Sequence, residues 1–289
     1  MRLVERAGPK INLSLLALAR RADGMHDLAS LVAFGGGGDI VWLEPGETLS
    51  FALDGPTAGE AGADDDNLCM KAARALAARL PGLTLGRLTL DKRLPVAAGL
   101  GGGSADAAAT LRLLARANEL PLDDPRLVAA AQACGADVPV CLAGRARMMG
   151  GVGHDLGPVL RLPPLYAVIA NPGVALLTKD VFARLGLAPG ERHALQPHPE
   201  IASGLDAQAL LALLKKTRND LEDPACVLAP VIGDVLSVLG AARGAKFARM
   251  SGSGASCFAL FTDRRLAAKA ARAVRRGHPG WRAWASALR

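Results

Sequence analysis

The densest chemical signal in the chain is a run of small residues: Pro95, Val96, Ala97, Ala98, Gly99, Leu100, Gly101, Gly102, Gly103, Ser104 and Ala105. Its glycines remove the Cβ atoms that would hold a ligand off the main chain. The amide N–H groups can then turn into one concavity and join the unpaired amides and positive dipole end of a helix starting at Ser104. That arrangement suits a polyphosphate. Spacing excludes two other phosphate loops. A P-loop needs Lys after its last Gly, and none follows Gly103. A dinucleotide fingerprint needs Gly where Ser104 stands and an acidic residue at the end of a strand about 20 residues on. A second segment, Ser251-Gly-Ser-Gly-Ala-Ser256, precedes an apolar stretch and is a weak signal by itself. The glycines at 35–38 read as a plain turn.

Strand and helix patterns alternate around this loop. Residues 10–18 read as a strand, followed by a polar turn at 20–26. Residues 40–43 and 49–53 read as a short hairpin, and 67–79 as an amphipathic helix capped by Asp66. A strand at 84–90 leads into the glycine-rich loop, and a long helix over 104–118 leaves it. A helix over 125–134 ends at Gly135, a good C-cap. Beyond it come a strand at 165–170, a Pro- and His-rich loop at 193–199, helices near 207–214 and 230–239, a strand at 256–261 and a final helix at 264–275. Gly and Pro cluster near 155–163, which sets an expected boundary between domains 1–157 and 158–289. The fold class expected is α+β.

Composition narrows the function classes. The chain has 289 residues, 51% of them apolar and 21% charged, which excludes a disordered protein. Its longest apolar runs are too short for a membrane span. The first ten residues carry no apolar core, so no secretory leader is expected. Five cysteines without a Cys-x-x-Cys suggest reduced thiols and a cytoplasmic location. The net charge is +7, but only 3% of residues are aromatic and the arginines are scattered. Nucleic-acid binding is therefore not expected, and an anionic small substrate would use the same field.

Three segments, Ala7-Gly-Pro-Lys-Ile-Asn-Leu13, residues 95–105 and residues 251–256, resemble in order and spacing the three motifs of the GHMP small-molecule kinases. Within that superfamily, Pro9-Lys-Ile-Asn-Leu13 followed by Arg20-Arg-Ala-Asp-Gly-Met-His26 resembles the 4-diphosphocytidyl-2-C-methylerythritol kinases. Asp66-Asn-Leu68, Asp91-Lys-Arg-Leu-Pro95, Gly135-Ala-Asp-Val-Pro139, Asn171-Pro-Gly173 and Asn219-Asp-Leu-Glu222 extend the likeness over nearly the whole chain. The resemblance implies a two-domain fold with the active site in the cleft between domains. It also implies transfer of the ATP γ-phosphate, with Mg²⁺, to a hydroxyl of a substrate carrying a cytidine diphosphate group, in the non-mevalonate isoprenoid pathway.

By the same resemblance, Asp137 is the base for the substrate hydroxyl, and Lys10 holds it ionised and neutralises the moving phosphoryl. Read alone, Lys10 is a surface charge and Asp137 a turn carboxylate. Asn12, Met25, His26, Thr178 and Phe182 match substrate-contacting positions. Asn67 and Lys92 match positions near the nucleotide base. Ser104 is an N-cap by default and a phosphate or metal contact by family, while Asp106 reads as structural. No metal-ligand cluster stands out, and neither a nucleic-acid, a membrane nor an obligate protein partner is implied. Met25 stands where the family usually has Tyr, and Ala105 where a second Ser is common. The rival readings are a relative acting on homoserine, mevalonate or a sugar, and a nucleotide- or RNA-binding relative without turnover.

Overall fold

The computed structural model describes residues 2–61, 66–193 and 197–289. In chain order the elements are β1 (Leu3–Ala7), β2 (Lys10–Asn12), β3 (Leu16–Arg20), β4 (His26–Phe34), β5 (Asp39–Gly46), β6 (Ser50–Asp54), α1 (Leu68–Ala77), β7 (Leu85–Asp91), α2 (Gly102–Ala117), α3 (Pro125–Cys134) and α4 (Val138–Ala143). Then follow β8 (Arg147–Gly151), β9 (Asp155–Val159), β10 (Tyr166–Asn171), α5 (Thr178–Leu185), α6 (Ala207–Lys215), α7 (Glu222–Leu228), α8 (Val231–Gly240), β11 (Phe247–Met250), β12 (Cys257–Phe261), α9 (Arg264–Gly277) and β13 (Arg282–Ala287). Helices and strands mix throughout, as an α+β fold requires.

Two compact units form, and each draws on separated stretches of chain. The first takes Met1–Lys10, Gly37–Val96 and Gly101–Gly144; the second takes Ile11–Gly36, Ala97–Leu100 and Arg145–Arg289. A single boundary at 157/158 does not coincide with these edges. The physical reason is strand pairing: β4 pairs with β8 from Leu28↔Gly151 to Val32↔Arg147, which draws early residues into the second unit.

In the first unit a sheet runs β1-β5-β7-β6. β5 is antiparallel to β7, whereas β6 runs parallel to it on the other side. The expected hairpin of 40–43 with 49–53 is therefore corrected, because β7 lies between its two arms. Val41, Leu43, Leu88 and Leu90 bury one face of this sheet. α1 buries Cys69, Met70, Ala72, Ala73 and Leu76, the stripe that helical periodicity predicts. Its cap is Asn67, whose side chain accepts from Cys69 N, and not Asp66. α3 spans the expected residues, with Asp124 capping, Pro125 in the first turn and Gly135 at the C-cap.

The second unit holds a sheet of order β2-β4-β8-β9, with β3 paired to β4, and another of order β11-β12-β10-β13. Residues 10–18 are thus two short strands rather than one. The final helix does not end the chain, since β13 returns to pair with β10 from Tyr166↔Ala287 to Asn171↔Arg282. Phe258 and Phe261 are fully buried, and α9 turns Ala267, Ala270, Ala271 and Val274 inward beneath an Asp263 cap. Among the described residues no helix is long and apolar enough to cross a membrane. All five cysteines are free.

Candidate active site

In the first unit the glycine-rich loop runs into α2 two residues earlier than its sequence suggests. The helix starts at Gly102 and its cap is Gly101, in the left-handed region at φ 60° and ψ 29°. Ser104 is consequently not the cap but a first-turn residue, and Ala105 lies buried behind it. A Cβ on Gly101 would stand 3.1 Å from Lys10 Cε and 3.8 Å from Asp137 Oδ2. The glycine therefore brings the main chain against both groups.

Lys10 Nζ lies 3.1 Å from Asp137 Oδ2. Lys10 is 4% exposed, whereas the Asp137 side chain is 34% exposed and reaches solvent. Asp137 is the N-cap residue of α4 yet makes no side-chain capping bond. Its carboxylate is turned instead to the lysine. A buried ammonium, a partly open carboxylate and the amide end of a helix thus meet at Gly101. Such a set can bind anionic phosphate and accept a hydroxyl proton.

Lys92 is not open to a ligand. It is 4% exposed, and Nζ donates to Asp39 Oδ2 and Asp106 Oδ2, each at 2.5 Å. Burial works against its charge, but Asp106 and Asp39 outweigh that and hold its pKa above the usual lysine value. Burial drives the Asp106 carboxyl well up, with Asp39 adding to the effect against the pull of Lys92. Asp39 went unnoticed in the sequence, and no local signal marks it, since its partner lies 53 positions away. The Asn67 amide oxygen serves the cap of α1.

In the second unit, residues 97–100 of the loop rest on the glycine-serine segment. Ala97 takes a positive φ of 50°, uncommon for a residue with a Cβ. Ser256 N donates to Ala98 O at 3.1 Å, and Ser251 Oγ donates to Gly99 O at 2.9 Å. A Cβ on Gly99 would fall 2.3 Å from Ser251 O, so the two segments pack backbone to backbone. Asn12 is fully buried: its N–H donates to Ser251 Oγ and its Nδ2 to Ser30 Oγ. Asn219 Nδ2 donates to Met250 O and Gly252 O, holding the same segment from its other side.

His26 stacks on Phe182 with ring centroids 4.4 Å apart and 27° between planes. Among the described residues its Nε2 is buried without a partner, and burial, then the Arg20 charge, lowers its pKa. Arg20 stands opposite His26 in the β3–β4 register, a neighbour that sequence reading passed over. Thr178 Oγ1 lies 2.9 Å from Ser253 Oγ. Met25 is 49% exposed at the β3–β4 turn, where its N–H donates to Asp23 Oδ1. The ring that faces Phe182 is His26.

Comparison with known proteins identifies the family. Residues 67–145 match the GHMP kinases N terminal domain, and residues 201–280 match the GHMP kinases C terminal family. The chain is a GHMP kinase by fold and by family. It is 56% identical over 280 residues to a 4-diphosphocytidyl-2-C-methyl-D-erythritol kinase of Methylobacterium radiotolerans, covering 96% of each chain. It is 57% identical to the enzyme of the same name from Xanthobacter autotrophicus, covering 96% of this chain and 95% of that one. A crystal structure of 4-(cytidine 5'-diphospho)-2C-methyl-D-erythritol kinase superposes with a TM-score of 0.77 at 34% identity, covering 99% of both chains. The chain belongs to the 4-diphosphocytidyl-2-C-methyl-D-erythritol kinase family.

Proposed function

We propose that this protein transfers the γ-phosphoryl group of ATP to a hydroxyl of 4-diphosphocytidyl-2-C-methyl-D-erythritol, giving the 2-phosphate. The observation that carries the chemistry is the Lys10–Asp137 pair 3.1 Å apart beside Gly101. Phosphoryl transfer asks a protein mainly for positioning and charge stabilisation. Asp137 takes the proton of the acceptor hydroxyl as that oxygen bonds to phosphorus, and ADP leaves. Lys10 fixes the carboxylate and offsets charge on the moving phosphoryl. The amides of Gly101, Gly102 and Gly103 and the positive end of α2 hold the phosphates.

Mg²⁺ fits this site as a companion of ATP. Among the described residues no group of three or more His, Cys, Asp or Glu forms a cage, which suits an ion that keeps phosphate and water oxygens as most of its ligands. The Ser104 hydroxyl, a hard oxygen in the first turn of α2, is the side chain that would hold it. When bound, the ion neutralises charge on the β- and γ-phosphates. His26, stacked on Phe182, offers its ring edge to cytosine, and Thr178 and Met25 are the further side chains read as contacting the substrate. Asn12, bonded to Ser251 and Ser30, is read as a further substrate-binding residue. The partner is a small molecule, and a cytoplasmic setting follows from reading the chain as a metabolic kinase.

A coupled ADP-release assay with the cytidine diphosphate substrate, mevalonate and homoserine tests this reading. The cytidine compound alone should drive turnover. Turnover with either of the others and none with the cytidine compound would overturn it.

A further inference from the structure

The buried Lys92 has no place in the mechanism above, and its surroundings are unusual. Lys92, Asp39 and Asp106 are 4%, 0% and 2% exposed, so three ionisable groups share one dry site. Asp39 uses its second oxygen on the main chain, accepting from Arg93 N and Leu94 N at 2.5 and 2.7 Å. Thr57 adds to this hold, since its N–H donates to Lys92 O and its Oγ1 to Leu94 O. Residues 92–94, which lead into the glycine-rich loop, are thereby fixed. Asp106 lies on α2, one turn beyond the loop. A Cβ on Gly102 would stand 3.2 Å from Lys92 Nζ and 3.7 Å from Leu94 Cβ. The ammonium therefore sits directly under the first residue of the helix that receives the phosphates.

We propose that Lys92 is a positioning residue for phosphate binding: its ammonium, shared by Asp39 and Asp106, pins both ends of the glycine-rich loop, and it acts on ATP through the phosphates and not through the base. This rests on the kinase reading above. One ammonium joins the approach segment at 92–94 to the departing helix at 102–106, so the intervening residues start and finish in fixed places. Loop closure of this kind removes conformational freedom before the ligand arrives. The charge pattern agrees. Among the described residues Asp106 Oδ1 is buried without a hydrogen-bond partner, and burial pushes this carboxyl well up from its usual range. The Lys92 ammonium offsets carboxylate charge that would otherwise lie beneath the phosphates.

The test compares ATP with inorganic tripolyphosphate, which has the phosphates and no base. The variant is Lys92→Met with Asp106→Asn, which removes the ammonium and one carboxyl together and leaves Asp39 on its two backbone donors. Dissociation constants come from calorimetric titration, KM values from ADP release, and folding from urea denaturation. ATP and tripolyphosphate should weaken by the same factor, about tenfold for loss of a charge-assisted anchor. The KM for the cytidine substrate should stay within about twofold, since that ligand gains nothing from the loop's pinned ends. Lys92→Gln, whose amide can still donate to a carboxylate, serves if the paired variant does not fold, and should give the same equal weakening to a smaller degree. ATP weakened with tripolyphosphate unchanged would make Lys92 a base contact and overturn the proposal. Unchanged affinity for both ligands in a folded variant would make the triad a matter of fold alone and equally overturn it. A wild-type chain that bound neither ligand would overturn the kinase reading itself.

Discussion

Gly101 and Gly99 stand two positions apart in one loop, and replacing each by Ala should damage different properties. Both take positive φ, 60° and 71°, so a Cβ at either site adds about 1–2 kcal/mol of backbone strain. The surroundings then separate them. The Gly101 Cβ would meet the flexible Lys10 side chain at 3.1 Å, a contact relieved by a shift of a few tenths of an ångström. The Gly99 Cβ would meet the Ser251 carbonyl oxygen at 2.3 Å and Gly254 backbone atoms at 2.8 Å, which cannot turn away. Overpacking of that kind adds roughly 1–3 kcal/mol, so Gly99→Ala should destabilise the fold by about 2–5 kcal/mol in all. Gly101→Ala should lose only the strain. Its damage falls on chemistry: Lys10 is displaced against Asp137 by a few tenths of an ångström, less than the ~1 Å that costs on the order of 10²-fold, so kcat should fall several-fold. Urea denaturation gives the stabilities and coupled ADP release gives kcat. A Gly101→Ala variant with unchanged kcat, or a Gly99→Ala variant as stable as wild type, would refute the reasoning.

Phe182→Ala removes the ring that orients His26, and should raise KM for the cytidine substrate several-fold, consistent with roughly 1–3 kcal/mol for aromatic support of a base site. Met25→Ala should raise it less, because Met25 is half exposed, and steady-state kinetics on both variants decides the order. His198 accepts the Ser14 hydroxyl proton at Nε2, 2.6 Å away, while Nδ1 donates to Pro199 O, so the neutral ring is fully bonded. Burial lowers its pKa below 6.5, so its contribution to stability is complete above that pH and lost as pH falls through the folded-state value. Thermal melts should show Tm falling between pH 7 and pH 5, and His198→Phe should weaken that slope; a slope that is unchanged would count against it.

Local signals were readable where the chemistry is local. The helix at Pro125–Cys134 is bounded by Asp124, Pro125 and Gly135, three residues with well-defined capping roles, and its limits follow from them. The glycine-rich loop announced itself because four glycines so close together have little structural use. The capping of α1 and α2 slipped by one and three positions, since Asp66 beside Asn67 and Ser104 after three glycines offer equal propensity in sequence alone. Adjacency in sequence favours a β5–β6 hairpin, whereas the sheet inserts β7 between them. β4 escaped notice because Ser30 to Phe34 are all buried, which erases the alternation that marks a strand with one wet face. Family motifs singled out Lys10 and Asp137; their 3.1 Å approach joins residues 127 positions apart and is a property of the fold alone. The Lys92 triad is hidden for the same reason, and so is the stacking of His26 on Phe182.

The central claim is that Asp137, held by Lys10, removes the proton of the acceptor hydroxyl. Its most direct test is Asp137→Asn, which keeps the shape of the side chain and removes the base. Turnover by ADP release should fall by ~10²–10⁴-fold, the range for loss of a general base, while ATP affinity by calorimetric titration stays near that of wild type. Near-normal turnover in the variant, with ATP still bound, would contradict the account.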